Sequence, residues 1–237
     1  TGAKDFSCHA NEKITEGLDN LSQRMKDYKS IGAKFAKWRA VITIGDKIPS
    51  LACMVANSHA LARYASICQE VDIVPIVEPE VLMDGSHDIK KCFEVTNEMQ
   101  STLFEELDKL NIVNSGIILK PNMITPGSTC EDKVVAEEIA EFTVRCLANN
   151  IPKDVPGIAF LSGGQSDQDA SNNLSFINKI NDNPWKLTFS YGRALQLEAM
   201  KKWQGNNDNK EEAQKIISKR AYLNSLAASG NYDLEME

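Results

Sequence analysis

Apolar positions along this chain fall into two alternating rhythms. Short, nearly continuous apolar runs lie at 38–44, 73–77, 116–119, 157–161 and 187–191. Between them are longer stretches whose apolar residues recur every three to four positions. The short runs predict strands buried on both faces, and the long ones predict amphipathic helices. The clearest helix covers 89–110, where Cys92, Val95, Met99, Leu103, Leu107 and Leu110 share a face. Others are predicted over 14–30 through Leu18, Leu21, Met25 and Tyr28, over 50–68 with Ser50 as its N-cap, over 134–147, and from Asp167 onward. Beyond the last run, helical sequence extends to 229 with a polar loop at 205–212, and 230–237 reads as a tail.

Strand starts lie roughly 30–40 residues apart, the size of one βαβ repeat, so the alternation predicts an α/β fold on a parallel sheet. Five strand–helix units do not close an eight-stranded barrel, which takes about 250 residues. Two architectures fit: an open doubly wound sheet, or a (β/α)8 barrel with three units missing from the front.

Composition narrows the function classes. With 42% hydrophobic residues among 237, a sizeable core can be buried. The formal net charge of -7, with no basic stripe, argues against a nucleic-acid binder. No apolar run reaches the ~18–20 residues of a membrane span. Thr1 is not an initiator Met, so the start reads as a cut. The six cysteines, Cys8, Cys53, Cys68, Cys92, Cys130 and Cys146, are scattered without a C-x-x-C pair, which fits free thiols in a reducing cytoplasm. His9, His59 and His87 are isolated, with no metal-ligand spacing, and no G-x-G-x-x-G, Walker A or H-E-x-x-H occurs.

Candidate chemistry gathers at the predicted strand ends, where parallel α/β folds keep their reactive groups. Lys37 and Arg39 bracket the first strand and share a face, as Glu78 and Glu80 do if the second strand stays regular. Pro79 between the two glutamates predicts a strand end. Lys120 directly follows an apolar run and precedes Pro121. An ion pair with a nearby glutamate is the plain account of such a lysine. The chemical account is an amine nucleophile: a lysine in an apolar pocket beside another cation, here Lys37, gives up its proton more readily and attacks a ketone. Glu78 and Glu80 then move the protons. Ser162, Gly163 and Gly164 before one helix, and Gly192 with Arg193 before the next, form two halves of a phosphate cradle.

Several segments together resemble class I fructose-bisphosphate aldolases: FAKWR at 35–39, ARYASIC at 62–68, IVPIVEPE at 73–80, DGSHD at 84–88, LKPNM at 119–123, FLSGGQS at 160–166 and LTFSYGRALQ at 187–196. The resemblance runs from Gly17 to Leu226. It implies a TIM barrel of which strands four to eight are represented, with 1–229 the C-terminal part of one barrel domain and 230–237 a tail. It also implies reversible cleavage of fructose 1,6-bisphosphate to dihydroxyacetone phosphate and glyceraldehyde 3-phosphate. By the same resemblance Lys120 is the Schiff-base lysine, Glu78 the acid/base, Glu80 its partner, and Lys37 and Arg39 active-site cations. Ser162, Gly163, Gly164, Ser190, Gly192 and Arg193 match a C1-phosphate site. No metal or cofactor is implied, since the protonated imine is the electron sink; sugar phosphates are the partners, and a cytoplasmic homotetramer the setting. The family carries three more units ahead of this point and a terminal tyrosine that Tyr232 does not match. Two other readings stand beside an aldolase of this substrate: an enzyme preferring fructose 1-phosphate, and a non-catalytic aldolase-like scaffold.

Overall fold

The computed structural model describes residues 2–237. The chain opens with an antiparallel hairpin, β1 (Gly2–Asp5) and β2 (Lys13–Glu16). Gly17 at φ +130° and Asn20 at φ 54° then turn the backbone into helix α1 (Leu21–Ser30). The helix expected over 14–30 is therefore shorter. Lys13–Glu16 satisfy their backbone groups by pairing with Gly2–Asp5, a contact that helical spacing does not reveal.

Five further strands form one parallel sheet: β3 (Phe35–Ile42), β4 (Val74–Val81), β5 (Ile118–Leu119), β6 (Gly157–Phe160) and β7 (Lys186–Phe189). Between and after them come α2 (Leu51–Glu70), α3 (Ile89–Lys109), α4 (Ala136–Asn150), α5 (Asp167–Ile180), α6 (Arg193–Trp203) and α7 (Lys210–Ala227). The strands lie side by side in chain order, without the reversal that marks a doubly wound sheet. That order is the winding of a (β/α) barrel, and it decides between the two architectures. Consecutive helices pack on each other, α2 on α3, α3 on α4 and α4 on α5, so they cover one face of the sheet.

The covered face is apolar. Trp38 stacks near Tyr64 of α2, with ring centroids 5.6 Å apart. Met99, Leu103 and Leu107 of α3 are fully buried, each worth about 1.5–3 kcal/mol relative to exposure. Ser50, Asp88 and Ser166 cap α2, α3 and α5 by accepting from the amides of Cys53, Lys91 and Asp169.

The opposite face carries the polar residues. Arg39 lies level with Glu78, Ile76 with Ile118, Ile118 with Gly157, and Gly157 with Lys186. Alternation along each strand therefore puts Lys37, Arg39, Glu78, Glu80, Lys120 and Ser190 on one surface.

β4 does not stop at Pro79 but runs to Val81. The amides of Val74 and Leu82 donate to Lys34 and Ile42, so even-numbered donors face β3. Pro75 and Pro79 occupy odd positions and remove no bond from that ladder. β5 is reduced to two residues by a 3-10 turn at Asn114–Gly116 before it and Pro121 after it. The polar stretch 205–212 is only partly loop, because α7 begins at Lys210. Residues 230–237 fold back on α5 and α7: Tyr232 is buried, and Arg220 donates to Glu237.

Candidate active site

Three neighbouring strands bring the ionisable residues together: Lys37 and Arg39 stand inside β3 and Glu78 and Glu80 inside β4, not at their ends as expected, and Lys120 directly follows β5. Glu78 is almost completely enclosed, and its carboxylate lies between two ammonium groups. Lys37 Nζ donates to Oε2 at 2.6 Å, and Lys120 Nζ lies 3.0 Å from Oε1. The two lysines differ in exposure: 11% of the Lys120 side chain is accessible against 41% for Lys37. Lys120 is thus the amine shielded from water. Its backbone amide donates to Val77, which fixes β5 against β4 just before Pro121. Arg39 Nε donates to Glu80 Oε2, and this bond raises the guanidinium pKa above its ordinary value despite burial. The ion pair and the reactive lysine, alternatives in sequence, coexist here: Lys120 is paired and sits where a nucleophile would.

The second group lies one step along the sheet. The β6–β7 ladder ends at Phe160 and Phe189, with the Ser190 amide donating to Phe160. Ser162, Gly163 and Gly164 leave β6 here, and Ser190, Gly192 and Arg193 leave β7. Gly163 and Gly164 adopt φ +54° and +86°, the left-handed region that favours glycine. A Cβ on Gly164 would also lie 3.1 Å from Met83 Sδ. The amides of Gly163, Gly164, Gly192 and Arg193 have no acceptor among the described residues. Gly192 caps α6 without a side-chain bond, so that helix end is open to an anion. The end of α5 is not, because Ser166 caps it two residues beyond Gly164. The helix dipole available to the cradle is therefore that of α6. Arg193 is exposed and makes no ion pair among the described residues.

A family model described as fructose-bisphosphate aldolase class-I matches residues 1–237. The chain belongs to the class I fructose-bisphosphate aldolase family. Over 232 residues this aldolase is 50% identical to the probable fructose-bisphosphate aldolase class 1 of Xanthomonas axonopodis pv. citri, covering 98% of the present chain and 70% of that one. It is 50% identical over 223 residues to fructose-bisphosphate aldolase C of Homo sapiens, covering 94% of this chain and 61% of the human one. Among solved structures, a fructose-bisphosphate aldolase from Plasmodium falciparum, crystallised with TRAP and a small-molecule inhibitor, superposes with a TM-score of 0.96 at 44% identity. That match covers 98% of this chain and 68% of the other. The aldolase reading of the sequence, both as fold and as enzyme family, is borne out by these matches.

One residue of this aldolase escaped the sequence reading. Asn122 is 5% exposed and ties β4, β5 and α3 together. Its position inside LKPNM was visible, but an asparagine after a proline is ordinary turn chemistry. The signal available was a fully polar side chain in a stretch, 117–125, that is otherwise largely apolar.

Proposed function

We propose that Lys120 forms a Schiff base with the C2 ketone of fructose 1,6-bisphosphate, and that this imine drives reversible cleavage to dihydroxyacetone phosphate and glyceraldehyde 3-phosphate. The amine attacks C2 to give a carbinolamine, which gains a proton and loses water to leave a protonated imine. The imine nitrogen accepts the electron pair of the C3–C4 bond as it breaks, while the C4 hydroxyl gives up its proton and leaves as the aldehyde; the enamine left on Lys120 takes a proton at C3, and water adds to the imine to release dihydroxyacetone phosphate and the free amine. Glu78, in contact with the reacting amine, is the group placed to give and take these protons. Lys37 supplies positive charge on its other side, and Glu80 orients Arg39 towards substrate. The amides of Gly163, Gly164 and Gly192, with the hydroxyls of Ser162 and Ser190 and the Arg193 guanidinium, take the C1 phosphate.

The observation that carries this reading is the Glu78 carboxylate held between a buried and an open lysine on one face of the sheet. A scaffold has no use for such an arrangement. Borohydride added to the complete protein with dihydroxyacetone phosphate should fix label on Lys120 alone. Lys120→Met should abolish trapping and turnover while the fold persists, since Met keeps the aliphatic volume. Label on Lys37 would reverse the roles of the two lysines, and no label on any lysine would favour the scaffold. A cytoplasmic homotetramer completes the proposal; it is supported by the family resemblance, and light scattering on the complete protein tests the assembly.

A further inference from the structure

We infer that Asn122 is a positioning residue for the lysine nucleophile, because its side chain supplies the hydrogen bond between β4 and β5 that the backbone cannot make beside Lys120. This rests on the Schiff-base reading above. Odd-numbered amides of β4 face β5, as the even-numbered ones face β3. The Cα ladder between β4 and β5 ends at Val77 and Leu119, and the last backbone bond runs from the Lys120 amide to Val77 at 2.8 Å. Beyond it Pro79 has no N–H to offer, and Pro121 has none either. The Pro121 carbonyl has turned to β6, where it accepts from Leu161 at 3.1 Å. The next amide on β4 facing this gap is that of Val81, and Asn122 Oδ1 accepts from it at 3.0 Å.

The other end of the amide is bonded as well. Asn122 Nδ2 donates to Thr96 Oγ1 of α3 at 3.2 Å and to the Met123 carbonyl at 3.1 Å. Both acceptor and donor groups of a nearly inaccessible side chain are thereby satisfied. One side chain thus spans the strand carrying Glu78, the segment carrying Lys120, and the helix behind them. Lys120 lies two residues before Asn122, and its amine must stay within reach of Glu78 Oε1, 3.0 Å away. Past Lys120, the next bonds between these two segments are those that Gly127, Ser128 and Thr129 donate to the 83–87 loop.

The test uses the complete protein. Asn122→Ala should lower kcat and the rate of borohydride trapping at saturating dihydroxyacetone phosphate by about 10–100-fold, the effect of roughly 1 Å of misplacement at a reacting group. KM should stay within about threefold, because the phosphate cradle stands on β6 and β7. Thr96→Val removes the bond to α3 but leaves the Val81 bond, so its stability should fall while kcat holds within twofold. Asn122→Thr, nearer in volume but too short to reach Val81, carries the same expectation where the alanine variant does not fold. The inference is overturned if the Asn122 variants trap and turn over within twofold of the parent, or if Thr96→Val loses as much kcat as they do. If Lys120→Met still traps, the underlying Schiff-base reading fails instead, whatever Asn122 does.

Discussion

Glu78→Gln neutralises the carboxylate between the two lysines while keeping its shape, and its consequences follow from burial. Glu78 and Lys120 expose 4% and 11% of their side chains, so solvent screens their interaction little. Breaking a buried pair by removing one partner costs about 3–5 kcal/mol. The Lys37 contact adds about 1 kcal/mol or less, since 41% of that side chain is in water. The glutamine oxygen recovers one hydrogen bond, about 1 kcal/mol. The net expectation is roughly 2–5 kcal/mol of stability and at least a 100-fold loss of kcat, at the lower end of what a positioned proton donor contributes. Urea unfolding of Glu78→Gln, Lys120→Met and the double variant measures both the cost and the coupling. Residues in direct contact should show about 0.5–3 kcal/mol of interaction energy in that cycle. A Glu78→Gln cost below about 0.5 kcal/mol together with zero coupling would show that the pair does not exist in solution, and the proton-transfer role would lose its geometric support.

Arg193→Ala should weaken binding of dihydroxyacetone phosphate by about 1.5–3 kcal/mol, the worth of a charged hydrogen bond, while leaving stability nearly untouched because the side chain is exposed and unpaired; calorimetry showing unchanged affinity would move the phosphate elsewhere. Gly127→Ala would place a Cβ 2.2 Å from the Gly85 carbonyl oxygen, in a loop pairing where Gly127, Ser128 and Thr129 donate to His87, Met83 and Gly85. It should cost about 1–3 kcal/mol or more, read by denaturant unfolding, and a neutral result would show that the 83–87 loop yields freely. Burial alone would raise the Glu237 carboxyl, but bonds from Tyr232 and Arg220 outweigh it and hold the pKa below the ordinary 4.5. A depressed folded pKa stabilises above the unfolded value and is lost as pH falls through the folded one. Protection of the Asn231 amide, which donates to Leu226, should therefore fall below pH 4.5 once intrinsic exchange is divided out, and Arg220→Ala should lower it at neutral pH and flatten the profile; a parent protection profile flat through this range refutes the role of the Glu237 bonds in holding 230–237 down.

The candidate site residues were readable one strand at a time. Period-two alternation put Lys37 with Arg39 and Glu78 with Glu80, and the structure pairs them across β3 and β4. Lys120 stood out because a lysine at the end of an apolar strand needs a partner or a task. The glycines at 163 and 164 were legible as half of an anion cradle, and the backbone there is left-handed. The reading misjudged 14–30, because Lys13–Glu16 become a strand only through pairing with Gly2–Asp5. It also misjudged Pro79: its missing donor faces β5, where the ladder does end, while the bonds to β3 carry the strand on to Val81.

Local order, then, was determined by the sequence itself: where strands and helices alternate, which side chains share a face, and which residue types stand at the strand ends. Those properties depend on backbone geometry over a few residues. The tertiary structure alone decided which lysine is shielded and that Asn122 closes the gap beside Lys120. Each of these depends on what lies across the sheet, 40 or so residues away in Lys37 and Glu78 or Val81 and Asn122. Burial and unmet hydrogen bonds are properties of an assembled neighbourhood, and no local pattern encodes the partner on the far side.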